Sequence, residues 1–317
     1  MNWPDIFASH SLGTTLTLAA MVGFYISSRT GAEAAVRLVG DRLLIRSLFH
    51  WVPVAAVSLA AACSGHFELA FGVILGTSIA ALCMVVGISA LGGQEVTLDR
   101  RAVYILPAAL LLFLIGFNAK ITPWSAGVLA LQGGAIALGA ITRSKAAPAK
   151  AVKARRSILA GPDLVLSVAL SGLTAWAADR GSMHLVTEIR SLTPGLVGSL
   201  VLAPALMLPL IGTAQSLLGA GRDSDAASLA VPIALLNLCL LLPVCIALCF
   251  WGDSTKTSLF FPMLNWRIDC LILVIISAAL VPAAFKNWRL GWIEGLVLIA
   301  AYALYLVVSL KAGVRMM

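Results

Sequence analysis

The stretch "HWVPVAAVSLAAACSGHFELAFGVILGTSIAAL", residues 50–82, decides the fold. Two apolar runs meet in it across a short polar turn, Ser64–His66, and a proline, Pro53, stands inside the first run. Extended to their polar ends the runs cover about 47–64 and 69–92, each about long enough to cross a ~30 Å hydrocarbon core as a helix. Strands with open edges would leave backbone groups unpaired in lipid, so both are read as helices. Moving outward, the same kind of run recurs near 12–27, 102–118, 124–142, 159–178, 194–218, 228–251, 268–285 and 290–310, which makes ten. The composition agrees: 60% of the 317 residues are hydrophobic and 11% are charged, with a mean hydropathy of +0.99. This is an all-α integral membrane protein.

The net charge of +8 would raise nucleic acid in a soluble protein, but the charges are placed differently here. If ten helices alternate from an outside N-terminus, most of the basic residues fall in loops on one side, among them Arg29, Arg46, Arg100, Arg101, Arg143–Arg156, Arg222 and Arg289. That bias is the positive-inside rule, so the charge reports topology and no nucleic-acid partner is expected. Both termini are expected to be extracytoplasmic, in what reads as a bacterial inner membrane. The first run has no basic region before it and reads as a retained helix. The six cysteines lack metal-type spacing and read as packing residues, so no metal and no cofactor is expected. No nucleophile elbow, phosphate loop or His/Cys/Asp cluster is present, which argues against an enzyme.

One segment stands apart as a linker: "TRSKAAPAKAVKARRS", residues 142–157, basic and without acids. It divides the chain into a first half, 1–142, a basic cytoplasmic connection, 143–157, and a second half, 158–317. Each half holds five helices, and an odd number obliges the second to enter the membrane inverted. The halves also resemble each other. "HWVPVAAVSLAAACSG" corresponds to "LMLPLIGTAQSLLGAG", Pro53 matching Pro209, and Trp124 and Gly127 correspond to Trp292 and Gly295. Inverted repeats with helices interrupted at matching places are the architecture of many secondary transporters, with the site at the repeat interface.

These segments resemble the calcium/cation antiporter superfamily, which includes the sodium/calcium exchangers. "VGFYISSRTGAEAAVRLVGDRL" looks like that family's exit from the first helix, "SGHFELAFGVILGTSIAALCMVVGISAL" like its third helix and "RLGWIEGLVLIAAYALYLVV" like its last. The resemblance implies ten transmembrane helices in two inverted five-helix repeats. It also implies two G-T-S-x-P-E motifs, which fall on Phe49–Val54 and Ala205–Leu210, where only Pro53 and Pro209 survive. Val54 and Leu210 stand at the glutamate positions. Of G-N-x-x-G-S-N in the third helix, Gly72 and Gly76 remain, Thr77 stands for the serine, and Val73 and Ser78 replace the asparagines. In the eighth helix Asn237 corresponds to a family polar position only if the alignment slides.

Calcium takes about six to eight hard oxygen ligands, with carboxylates supplying charge. None of the fourteen acidic residues falls near the middle of helices two, three, seven or eight, so a family-type calcium site is not expected. What remains as a substrate or ion pathway is His50, Trp51, Pro53, Ser58, Thr77, Ser78, Pro209, Thr213, Gln215 and Asn237. The prolines are expected to open their helices and free carbonyls to a cavity. His50 is a candidate proton carrier, or a histidine hydrogen-bonded near the interface. Trp51 is a candidate aromatic gate. The hydroxyls and amides suit a neutral or zwitterionic solute or a lipid-like headgroup, or serve as bonds between helices. Two functions follow: a secondary transporter of altered specificity, proton-linked or uncoupled, or a scaffold subunit for a membrane-protein partner. A transporter predicts a polar cleft between the repeats; a scaffold predicts solid packing around Val54 and Leu210.

Overall fold

A computed structural model describes residues 3–39, 43–92, 95–117, 120–143, 160–189, 192–251, 258–260, 263–285 and 288–315. These residues form ten helical rods: α1 (Trp3–Val39), α2 (Leu43–Cys63), α3 (Phe67–Leu91), α4 (Ile105–Ile115, entered through a 3-10 turn Arg100–Tyr104), α5 (Pro123–Arg143), α6 (Ala160–Glu188), α7 (Pro194–Gly219), α8 (Asp223–Trp251), α9 (Met263–Ala284) and α10 (Trp292–Arg315). Seven of them (α2, α3 and α6–α10) are long and apolar enough to cross a membrane. The basic linker read between the halves lies, from residue 144 to 159, outside the described residues.

Burial explains the hydrophobic pattern of each rod. α3 is apolar on every side because it is the central rod, with 94% of its most apolar window buried. α10, in which that share is 28%, keeps one face toward lipid. α1 runs well beyond the expected 12–27, because the polar extension from Ser27 onward packs antiparallel on α6. There the Ser167 hydroxyl donates to the Ser27 carbonyl at 2.7 Å, and small residues let the rods approach.

The halves share local geometry. α2 and α7 both end in a left-handed glycine, Gly65 at φ 78° and Gly221 at φ 70°, a backbone that glycine adopts at little cost. Each end closes the same way: the amide of His66 donates to Ala61 at 2.8 Å, and that of Arg222 to Leu217 at 2.9 Å, both reaching back over the last turn. The register that places Pro53 on Pro209 also places Gly65 on Gly221. It places the π-helical turn Ala81–Val85 of α3 on the π-helical turn Asn237–Leu241 of α8. Loop contacts repeat as well: Val96 bridges Leu290 between the α3–α4 and α9–α10 connections. Strand β1 (Lys120–Ile121) pairs antiparallel with β2 (Leu259–Phe260) between α4–α5 and α8–α9.

One expectation needs correction. α2 and α7 do not open at their prolines; both run helically through Pro53 and Pro209. A proline deletes one amide donor and leaves the rest of the ladder, and here the irregular turns fall in α3 and α8, and at Val197–Leu202 of α7, instead. Trp266 is 2% exposed and stacks on Phe71 with ring centroids 4.2 Å apart. Trp124, Trp251, Trp288 and Trp292 are exposed at helix ends, as an interfacial belt requires.

Candidate functional site

The rods α2 and α3 from the first half, and α7 and α8 from the second, meet at the centre. Gly72 allows this: a Cβ there would overlap the Gly195 carbonyl of α7, and one at Gly76 would stand 2.7 Å from the Ser199 Cα. Close approach brings two polar groups together.

The first group surrounds Asn237, fully buried on the π-helical turn of α8. Thr77 and Ser78 donate their hydroxyl hydrogens to the Val73 carbonyl at 2.6 Å and the Ile74 carbonyl at 2.7 Å, one turn back on α3. Their oxygens are therefore left to accept. The Asn237 amide donates to Thr77 at 2.9 Å and to Ser78 at 3.1 Å, with the Ile74 carbonyl at 3.4 Å. Its carbonyl oxygen accepts from the Trp51 indole at 2.9 Å. One amide thus ties α2, α3 and α8, and its donors and acceptor are engaged by the protein.

The second group surrounds His50, 1% exposed on α2. Its Nδ1 lies 2.6 Å from the Ser28 hydroxyl of α1, and its Nε2 lies 2.8 Å from the Thr213 hydroxyl of α7. Thr213 also donates to the Pro209 carbonyl at 3.1 Å. With its single hydrogen used there, Thr213 accepts from Nε2–H, and Nδ1 accepts from Ser28. This assigns the tautomer of the neutral ring from its partners.

Behind Thr213 opens a cleft of about 490 Å³ between α1, α2 and α7. Tyr25, Arg29 and Glu33 of α1, Arg46 of α2, and Pro209, Gly212, Thr213 and Ser216 of α7 line it. It lies toward the end of the bundle where α5 stops and α6 starts. At the opposite end a cavity of only about 30 Å³ is bounded by Glu68, Gly72, Gly195, Ser199, Asn265 and Asp269. Between the two, Val54 and Leu210 are fully enclosed. The packing expected of a scaffold and the polar cleft expected of a transporter therefore occur at different depths.

Of the residues singled out by sequence, His50 and Thr213 join in one group, and Trp51, Thr77, Ser78 and Asn237 in the other. Pro53 is buried in α2, and Pro209 lines the cleft. Ser58 is fully buried, and its hydroxyl meets no hydrogen-bond partner among the described residues. Gln215 is exposed on α7 and takes part in neither group, because it sits on the face of that helix turned away from Ala214 and Leu217. Sequence reasoning missed Ser28, Arg29, Glu33 and Arg46 as site residues. The signal was the polar spacing of Tyr25, Arg29 and Glu33, one helical turn apart, beyond the point where the first helix was expected to end.

Residues 164–311 match the family described as "Sodium/calcium exchanger protein". The fold matches solved structures over nearly the whole chain. The H+/Ca2+ exchanger CAX superposes with a TM-score of 0.74 at 16% identity, over 97% of this chain and 93% of that one. The chain thus has the fold of these exchangers, and the family match covers its second half. YfkE superposes at 0.70 with 14% identity, over 96% and 93% of the two chains. The sodium-calcium exchanger NCX_Mj superposes at 0.63 with 15% identity, over 93% and 98%. No curated protein matches the sequence. In this chain, Val54 and Leu210 occupy the enclosed centre, and the described residues hold no group of three or more His, Cys, Asp or Glu side chains fit for a metal. With seven helices long and apolar enough to cross a membrane among its described residues, it is an integral membrane protein.

Proposed function

We propose that this protein is a secondary transporter in which the exchanger scaffold has changed specificity: it moves a substrate other than Ca2+ in a proton-linked cycle. The observation that supports this reading is the polar cleft, wide at one end of the repeat interface and narrow at the other, with Thr213, hydrogen-bonded to the buried His50, on its wall. One wide and one narrow end suits an alternating-access protein caught on one side. His50 supplies a means of coupling. Protonating the ring puts a hydrogen on Nδ1, and the Ser28 hydroxyl must then turn its own hydrogen away. Charge on α2 is thereby linked to a rotation on α1 and, through Nε2, to Thr213 on α7.

The charge bias of the loops supports a cleft on the cytoplasmic side, termini outside, and the basic segment 143–157 as a cytoplasmic connection between repeats 1–142 and 158–317. A second reading, a scaffold subunit that holds a membrane-protein partner and transports nothing, is favoured by the enclosed Val54 and Leu210.

Thiol accessibility separates the two. In a cysteine-free background, Ser216→Cys and Asn265→Cys report the cleft and the narrow cavity to an impermeant maleimide added from either side of oriented vesicles. Transport predicts that a pH step slows labelling at 216 from one side while raising it at 265 from the other. Rates that ignore pH at both positions would leave the scaffold reading.

A further inference from the structure

The cleft has a chemistry of its own. Along α1, Tyr25, Arg29 and Glu33 stack one turn apart. The Arg29 Nε donates to Glu33 at 3.2 Å, and another of its guanidinium nitrogens donates to the Tyr25 hydroxyl at 3.4 Å. The single carboxylate lining the cleft among the described residues is thus already matched to a guanidinium. Arg46 of α2 adds a second guanidinium to the wall, and α7 adds the hydroxyls of Thr213 and Ser216. Among the described residues, a cation entering this space would face two guanidinium groups and one matched carboxylate. An oxyanion would meet planar N–H forks and hydroxyl donors, the groups that recognise carboxylate and phosphate. The volume, about 490 Å³, is in the range of small-molecule sites, on the order of 300–1,000 Å³.

Resting on the transport reading above, we infer that the cleft binds a small solute or headgroup bearing a carboxylate or phosphate, anionic or zwitterionic, oriented by Arg46 and Arg29. The floor of the cleft offers a clean perturbation. Gly212 lines the cleft on helical backbone, with open space where a Cβ would stand, so a large side chain there enters the cleft without a clash at its Cβ.

The test is calorimetric titration of the protein in phosphatidylcholine nanodiscs with glycerol phosphate, succinate and, as the cation, tetramethylammonium. The expected result is binding of both anions and none of the cation, at least a tenfold loss with Arg46→Gln, and complete loss with Gly212→Phe. Arg29→Gln serves where Arg46→Gln does not fold. Binding of the cation alone, or anion binding untouched by Gly212→Phe, would overturn the inference. Nanodiscs containing phosphatidylglycerol separate the sources: competition identifies a lipid headgroup, and its absence a free solute, the oxyanion chemistry holding in both. Failure of the transport reading is distinguishable. Anion binding without pH-driven anion uptake upholds the site and removes transport, whereas pH-driven flux of an uncharged solute without anion binding overturns the site and leaves transport.

Discussion

Asn237→Leu removes the amide that ties three helices while keeping the number and branching of side-chain heavy atoms. The wild-type amide makes interhelical bonds with Trp51, Thr77 and Ser78. Bonds of this kind in membrane bundles average about 0.6 kcal/mol each, so the three together amount to roughly 2 kcal/mol. That is about a thirtyfold change in the folding equilibrium. Thr77 and Ser78 keep their bonds to Val73 and Ile74, so the group left without a partner is the half-buried Trp51 indole N–H. The same geometry sets the coupling: Trp51→Phe deletes one of the three bonds, and the double variant should recover about 0.6 kcal/mol relative to the sum of the singles. The assay is reversible unfolding in mixed dodecyl maltoside and sodium dodecyl sulfate micelles, run as a double-mutant cycle. Additive single variants, or an Asn237→Leu protein as stable as wild type, would refute the claim that this amide holds α2, α3 and α8 together.

Gly76→Ala places a Cβ 2.7 Å from the Ser199 Cα and 2.8 Å from the Ala203 Cβ, so α3 and α7 must part; a loss of about 1–3 kcal/mol is expected in the same assay. At Gly116 an added Cβ would overlap the Trp266 ring, so Gly116→Ala should shift the intrinsic fluorescence of that buried indole and lower stability by a similar amount, about 1–3 kcal/mol. His50→Gln can still bond to one of the two hydroxyls but cannot take up a proton. It should retain most of the wild-type stability and lose the pH dependence of maleimide labelling at Ser216→Cys, whereas a purely structural histidine predicts unchanged pH dependence.

Much of the architecture was legible because the period and length of apolar runs are set by the bilayer itself. Nine of the ten rods lie within a few residues of their expected ends, or extend through a polar turn the hydropathy alone truncates. α1 escaped because its second half is polar and is buried against α6, a tertiary fact with no local signature. The repeat was visible in Pro53 and Pro209, and the structure adds Gly65 and Gly221 in the same register. The prolines misled in one respect. Proline removes one donor, but whether a helix opens depends on what packs against the freed carbonyl, and neighbours keep α2 and α7 closed there. At the site, polar residues in apolar runs marked His50, Thr77, Thr213 and Asn237. Arg29 and Glu33 carried a local signal, their one-turn spacing with Tyr25, but Ser28 and Arg46 could not be read, since their relevance comes from the crossing of α1, α2 and α7.

Ion flux tests the central claim most directly: purified protein in liposomes, with Ca2+ and Na+ gradients imposed and a proton-sensitive dye inside, wild type beside His50→Ala. The account predicts no Ca2+ uptake driven by Na+ or by a pH gradient, and a proton response to the transported substrate that His50→Ala abolishes. Ca2+ uptake by the wild type would contradict it, showing that hydroxyls and backbone carbonyls replace carboxylates at the enclosed centre around Val54 and Leu210.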